Sequence, residues 1–176
     1  PVREELIKLL RKELPGYEVR EKANLLYRIT LDSSGSLYPP IDKIKEPKRG
    51  ELAFQTDIVI EKVLDKVRIP LVVLEVKAGS PSTHDVLVYS TKAVRHKDVY
   101  PYLRYGLLAV DPAEKNIPRK VFIHNVGFDF VVYTRYGEWE RIVDIIKSQV
   151  EIAELLRDLL AGARKAECFE TKVVVA

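Results

Sequence analysis

Asp57, Glu75 and Lys77 are the residues whose types and setting point most directly to chemistry. Asp57 lies in F-Q-T-D-I-V-I (Phe54 to Ile60), and Glu75 and Lys77 lie in I-P-L-V-V-L-E-V-K-A (Ile69 to Ala78). Both are apolar runs of strand length, rich in β-branched residues, with ionisable groups set into them. Alternate residues of a strand leave the sheet on the same side, so Glu75 and Lys77 share a face and Val76 takes the other. If the two strands are neighbours, Asp57 joins that face. Charges on an apolar sheet cost several kcal/mol of desolvation unless they are compensated. A divalent cation is the simplest compensator.

The rest of the chain reads as the frame for this patch. Val2 to Leu14 is an amphipathic helix closed by Pro15-Gly16. Tyr17 to Arg20 and Asn24 to Leu31 read as strands. Asp32 to Gly50 is a turn-rich loop carrying Lys43, Lys45, Lys48 and Arg49, and a loop of that length is more often functional or mobile than idle. Glu61 to Arg68 is a charged connection between the Asp57 and Glu75 strands. After Gly79-Ser80-Pro81, Ser82 and Asp85 have capping-box spacing at the start of a helix over His84 to Lys97. Gly106 to Val110 is a short interior strand. Val121 to Ile123 and Phe128 to Tyr133 read as a strand pair joined around Asn125 and Gly127. Glu138 to Leu160 is a long helix, apolar on more than one face and hence buried or shared with a second subunit. Lys172 to Val175 reads as an edge strand. Helices interleaved with strands give an α/β class, a central mixed β-sheet flanked by helices.

At 176 residues, one domain spanning 1–176 is expected. Apolar content of 47% and charged content of 31% describe a globular chain. No apolar run approaches the ~20 residues that cross a bilayer, and no signal-peptide pattern opens the chain, so a cytoplasmic location and no membrane partner are expected. Cys168 is the single cysteine, which excludes an internal disulfide framework. His84, His96 and His124 are too scattered for a structural zinc site. The net charge of +3 permits a nucleic-acid partner without requiring one. Absence of Met with abundant Lys, Arg and Glu is a thermophile-like composition. A chain beginning at Pro1 is expected to have lost its initiator Met.

Asp57 followed by Glu75-Val76-Lys77 resembles the D…(D/E)xK signature of the PD-(D/E)xK nuclease superfamily, the restriction-endonuclease-like fold. E-x-K alone is common; the specificity comes from the apolar strand before it, the upstream strand carrying Asp57 and the helix after it. The resemblance covers the chain from the first helix to the Gly106 strand. It implies that Asp57 and Glu75, with the backbone carbonyl of Val76, ligate Mg²⁺, that Mn²⁺ can substitute, and that Lys77 orients or activates the attacking water. Mg²⁺ takes one or two carboxylates plus water and phosphate oxygens. Metal coordination acidifies a bound water and neutralises charge on a scissile phosphate, and Lys77 places a cation beside that oxyanion. A buried salt bridge between Lys77 and one carboxylate is the structural alternative. It leaves the second carboxylate unexplained.

The chain departs from the signature in places. Thr56 precedes Asp57 where the motif's name has Pro. Many members add an acidic residue from the first helix; Glu4, Glu5 and Glu13 are available, and Glu5 is the accessory candidate. The first helix resembles that of archaeal Holliday-junction resolvases, but Arg3 stands at the place of their glutamate. D-V-L-V-Y at Asp85 to Tyr89 is distantly similar to the Q-L-x-x-Y helix of exonuclease relatives, with only Tyr89 kept, a residue for which core packing is the plain alternative. Lys43, Lys45, Lys48, Arg49, Lys92, Arg95 and Lys97 are candidates for phosphate-backbone contacts, while His84 and His96 are left as surface residues. The expectation is a Mg²⁺-dependent DNA endonuclease of restriction or homing type, working as a homodimer with the 138–160 helix as one interface. A structure-specific resolvase is the second reading, and a non-catalytic nucleic-acid-binding module on the same fold the third.

Overall fold

The structure, a computed structural model, describes residues 2–113 and 116–162. The expected edge strand at Lys172 to Val175 lies outside the described residues. In chain order the elements are α1 (Val2–Glu13), β1 (Glu18–Glu21), β2 (Asn24–Leu26), β3 (Thr30–Leu31), β4 (Leu37–Tyr38), α2 (Ile41–Ile44), β5 (Ala53–Gln55), β6 (Ile58–Leu64), β7 (Val67–Ala78), α3 (Thr83–Val99), β8 (Arg104–Val110), α4 (Arg119–His124), β9 (Phe130–Thr134) and α5 (Trp139–Leu160). Five strands form the central mixed sheet in the order β1-β6-β7-β8-β9. The β1–β6 and β6–β7 pairs are antiparallel, and the β7–β8 and β8–β9 pairs are parallel. The α/β class with helices flanking a mixed sheet is thus the observed architecture.

The sheet is buried on both faces. On one side Ile58, Ile60, Val72, Leu74, Leu108 and Val110 pack against Leu6 and Leu10 of α1 and Ile142, Ile146 and Val150 of α5. On the other, Val59, Val73, Tyr105 and Leu107 meet Val86 and Ala93 of α3 and Val121 of α4. The interior strands must therefore be apolar in both phases, as β7 is from Pro70 to Leu74, whereas edge strand β1 buries only Val19. The stripe of α5 (Trp139, Ile142, Val143, Ile146, Val150, Ala153) packs on the sheet, while Leu155 and Leu160 of the same helix are exposed. The second buried carboxylate of the sheet, Glu61, is held by the Arg20 guanidinium in a two-pronged pair at 2.6 and 2.8 Å.

Several expectations are corrected. The run 54–60 is two strands in two sheets: β5 pairs with β2 in a separate ribbon, and β6 joins the central sheet. Thr56 makes the crossing, its amide and hydroxyl both donating to the Ala23 carbonyl at 2.8 and 3.0 Å. Asn24 to Leu31 is likewise split into β2 and β3. The loop 32–50 is partly ordered by a β3–β4 hairpin and by α2; Asp32 Oδ1 accepts from the amides of Ser34 and Ser36, and Gly35 takes the positive φ of 79° that the turn needs. Val121 to Ile123 is helical, within α4, because Pro118 starts a turn that Asn125 ends before a strand can extend. β9 consequently pairs in parallel with β8 instead of antiparallel with its predecessor.

Phe130 of β9 lies across Gly106 of β8, where an added Cβ would come within 2.2 Å of the Phe130 ring. Gly106→Val is expected to destabilise the fold by about 2–3 kcal/mol in chemical denaturation, and Phe130→Ala in the same chain to recover part of the loss.

Candidate functional site

The site forms where β7 outruns β6. Ile58, the first residue of β6, pairs with Leu74, so the β7 edge beyond it has no strand partner on that side. Asp57 occupies the gap: its Oδ2 accepts from the Val76 amide at 2.9 Å, and its Oδ1 accepts from the Arg3 guanidinium at 2.9 Å. This places the Asp57 carboxylate beside Glu75, whose carboxyl feels its charge. Glu75 points to the α3 face and is 1% exposed. Its Oε1 accepts from Lys92 of α3 at 2.6 Å and from the Tyr105 hydroxyl of β8 at 2.5 Å.

Burial pushes the Glu75 carboxyl above its ordinary range, and Asp57 adds to this; Lys92 and Tyr105 oppose the rise. The Tyr105 phenol is driven well up, by burial first and then by Glu75, so it serves only as a donor. Tyr89 is half-buried with its ring 5.6 Å from Lys92 Nζ. Burial raises its phenol, and Glu75, Asp57 and Asp85 raise it further. The phenol therefore stands in the field of the carboxylates while its ring packs on the α3-side core.

Lys77 follows Glu75 on the same face, but its ammonium pairs with Asp85, donating to Oδ1 at 3.3 Å and lying 3.2 Å from Oδ2. Asp85 has two tasks. It closes the expected capping box of α3, accepting from the Ser82 amide at 2.7 Å while Ser82 Oγ accepts from the Asp85 amide at 3.1 Å. Burial raises its carboxyl, yet Ser82 and Lys77 together outweigh burial and leave it below the usual range. The loop after β7 thus fixes both the start of α3 and the resting place of Lys77.

The basic candidates separate into tied and untied side chains. Lys92, expected on a phosphate, is instead a half-buried partner of Glu75 that also donates to the Gln55 carbonyl at 2.8 Å. Lys97 is tied likewise: it donates to the Gly127 carbonyl at 2.6 Å and to Asp129 at 3.1 Å. Both sit on the inward flank of α3, where an ammonium must find a partner. Lys43 pairs with Glu51 at 2.8 Å; Lys45, Lys48, Arg49 and Arg95 are exposed. Glu5 is drawn to the Tyr136 hydroxyl, so the residue of α1 that reaches the site is Arg3. His84 is exposed, but His96 is fully buried, stacked on Tyr105 at 5.7 Å with Nδ1 2.8 Å from the Leu26 carbonyl. Arg3 and Tyr105 are the members that sequence reasoning missed, and Lys92 was expected on a phosphate, not on Glu75. Arg3 alone left a signal, as a basic residue where an acidic one was sought.

A divalent cation suits the chemistry of these donors, since the two carboxylates are hard oxygen ligands. Among the described residues no cluster of three or more His, Cys, Asp and Glu gathers at one point, so protein would supply only part of a coordination shell, as is usual for Mg²⁺. Each carboxylate already has a cation, Arg3 on Asp57 and Lys92 on Glu75. The charge that the sequence left uncompensated is therefore balanced from within. No protein-family model matches the chain, and no curated protein matches it. Among the described residues no helix is long and apolar enough to cross a membrane.

Removing Lys92 strands a buried carboxylate. Lys92→Met is expected to lower stability by roughly 3 kcal/mol at pH 7. The deficit should shrink toward pH 4.5, where Glu75 takes a proton in the unfolded chain as well. Glu75→Gln added to Lys92→Met should restore most of it in urea melts.

Burial, helped by Lys92 and opposed by the Leu26 carbonyl, lowers the His96 imidazole from 6.5 to about 4. The unfolded chain therefore takes the proton first, and stability should fall by roughly 3 kcal/mol as the pH drops from 6.5 to about 4. In His96→Gln, which keeps a donor for Leu26, denaturation measured across that range should lack this component.

Proposed function

We propose that this chain is a Mg²⁺-dependent endonuclease that hydrolyses phosphodiester bonds in DNA, built on a restriction-endonuclease-like domain and acting as a homodimer. The observation that carries the reading is the convergence of Asp57 on the Val76 amide, which brings two carboxylates from distant parts of the chain together at the carboxyl end of β7. In α/β sheets with parallel strands that end is where ligands collect. Asp57 and Glu75 would hold the cation, with the Val76 carbonyl as the further ligand that the superfamily resemblance implies. When bound, it supplies an acidified water and neutralises charge on the scissile phosphate.

The chain's own residues account for the rest. Tyr105 and Lys92 fix one oxygen of Glu75, so the carboxylate enters the reaction already oriented. Arg3 and Lys77 are part-exposed, at 38% and 35%; Arg3 is held by Asp57 at 2.9 Å with Glu21 further off at 3.9 Å, and Lys77 by Asp85 at 3.2 Å. Surface pairs of this kind are weak and exchange partners readily. An arriving phosphate offers both a second anion, and a guanidinium and an ammonium moved onto its oxygens would stabilise the charge that builds during attack.

A second reading is favoured by the internal charge balance. Two carboxylates matched by Arg3 and Lys92 need no metal to persist, so a nucleic-acid-binding module that does not cut could keep them as a structural cluster. Incubation with plasmid and with four-way-junction DNA, in Mg²⁺ or EDTA, separates the readings. Discrete plasmid fragments mark a restriction- or homing-type enzyme, junction-only cutting a resolvase, and binding without cutting the module. For the endonuclease, Asp57→Ala and Lys77→Ala should each lower the cleavage rate at least about a hundredfold with DNA binding largely kept; unimpaired cleavage by either variant removes the mechanism.

A further inference from the structure

An open groove of about 680 Å³ runs between the outward face of α3 and strand β5. Its walls combine two kinds of surface. Phe54, Leu87 and Val88 are apolar, and Leu87 and Val88 are 42% and 39% exposed although α3 already buries Val86, Ala93 and His96 on its inner face. Arg49 and Arg95 are exposed guanidinium groups with no ion-pair partner among the described residues, in contrast to Lys43, Lys92 and Lys97. Lys92 forms the inner boundary, bridging the Gln55 carbonyl of β5 and Glu75. The groove and the carboxylate site therefore share one side chain.

Unpaired guanidinium groups on either side of an apolar wall match an anionic ligand with flat apolar parts. Phosphates suit Arg, whose planar fork binds their oxygens in pairs. Duplex DNA offers phosphates and sugars on its outside while its base faces are hidden; an unpaired strand exposes those faces to aromatic and apolar side chains. Phe54 is held in place, its ring stacked on Tyr27 at 4.0 Å and set edge-on to His96 at 5.9 Å. An acidic polypeptide would satisfy the arginines but has less use for a rigid aromatic wall. We propose that this groove binds an unpaired nucleic-acid strand, with bases against Phe54, Leu87 and Val88 and phosphates on Arg49 and Arg95. Delivery of that strand to Asp57 and Glu75 rests on the nuclease reading; the binding itself does not.

The test is fluorescence anisotropy in EDTA, where cutting is silenced, with a labelled single-stranded oligonucleotide and its duplex. The full chain should prefer the single strand, and Arg49→Glu, Arg95→Glu and Leu87→Asp should each weaken it about tenfold. All three replace exposed side chains and should melt close to the parent. Lys12→Glu, on α1 across the sheet, should bind unchanged. Equal or better binding of duplex, single-strand binding that all three groove variants retain, or displacement of the strand by polyglutamate at equal charge would each overturn the proposal. A protein that holds the strand through the groove but never cuts keeps this inference and loses the nuclease reading, whereas one that cuts DNA while its groove variants bind normally does the reverse.

Discussion

A carboxylate at 1% exposure in the middle of a sheet constrains everything around it. Glu75 lies where β7 is covered by α3, and a charge there is tolerated only with hydrogen-bonded compensation. Lys92 must reach in from α3 and Tyr105 across from β8, which fixes the helix against the sheet and β8 in register with β7. Asp57 adds a second negative charge next to the first, and Arg3 is drawn from α1 to balance it. Four elements are thus tied to one pair of carboxylates. The capping of α3 by Ser82 and Asp85 and the position of Lys77 follow from the same short stretch of chain.

The arrangement can be read as a stable cluster or as a reactive one, and the difference lies in how firmly each cation is held. Lys92 is mostly buried and serves both Glu75 and the backbone of β5, so it behaves as a fixed part of the frame. Arg3 and Lys77 stand at the rim, part-exposed, each on a carboxylate that a stronger ligand could claim. A site with fixed inner charges and exchangeable outer ones is suited to an anionic substrate arriving with its own cation. This is the physical basis of the proposed phosphodiester chemistry.

The apolar strands could be read from the sequence because they are apolar in both phases, and β7 and the helix after it were expected within a few residues of where they lie. Boundaries set by tertiary contacts could not. Phe54 to Ile60 is continuous in pattern, yet hydrogen bonds from Thr56 to Ala23 divide it between two sheets. The V-F-I-H run of α4 has the composition of a strand and becomes a turn of helix because Pro118 and Asn125 leave it no room. Asp57 and Glu75 were legible as ionisable groups out of place in apolar runs. Tyr105 and the inward role of Lys92 were not, since a lysine among other charges on a helix looks like solvated surface until the fold shows which face it is on. His96 was missed for the same reason.

The proposed function turns on Asp57 and Glu75 forming one cation site, whose charge Arg3 and Lys92 balance at rest. An anomalous difference map from a crystal soaked in Mn²⁺ tests it directly. The account predicts a peak between the two carboxylates, with the Arg3 guanidinium moved off Asp57. A map with no peak there and the Arg3–Asp57 pair intact at high Mn²⁺ would contradict it.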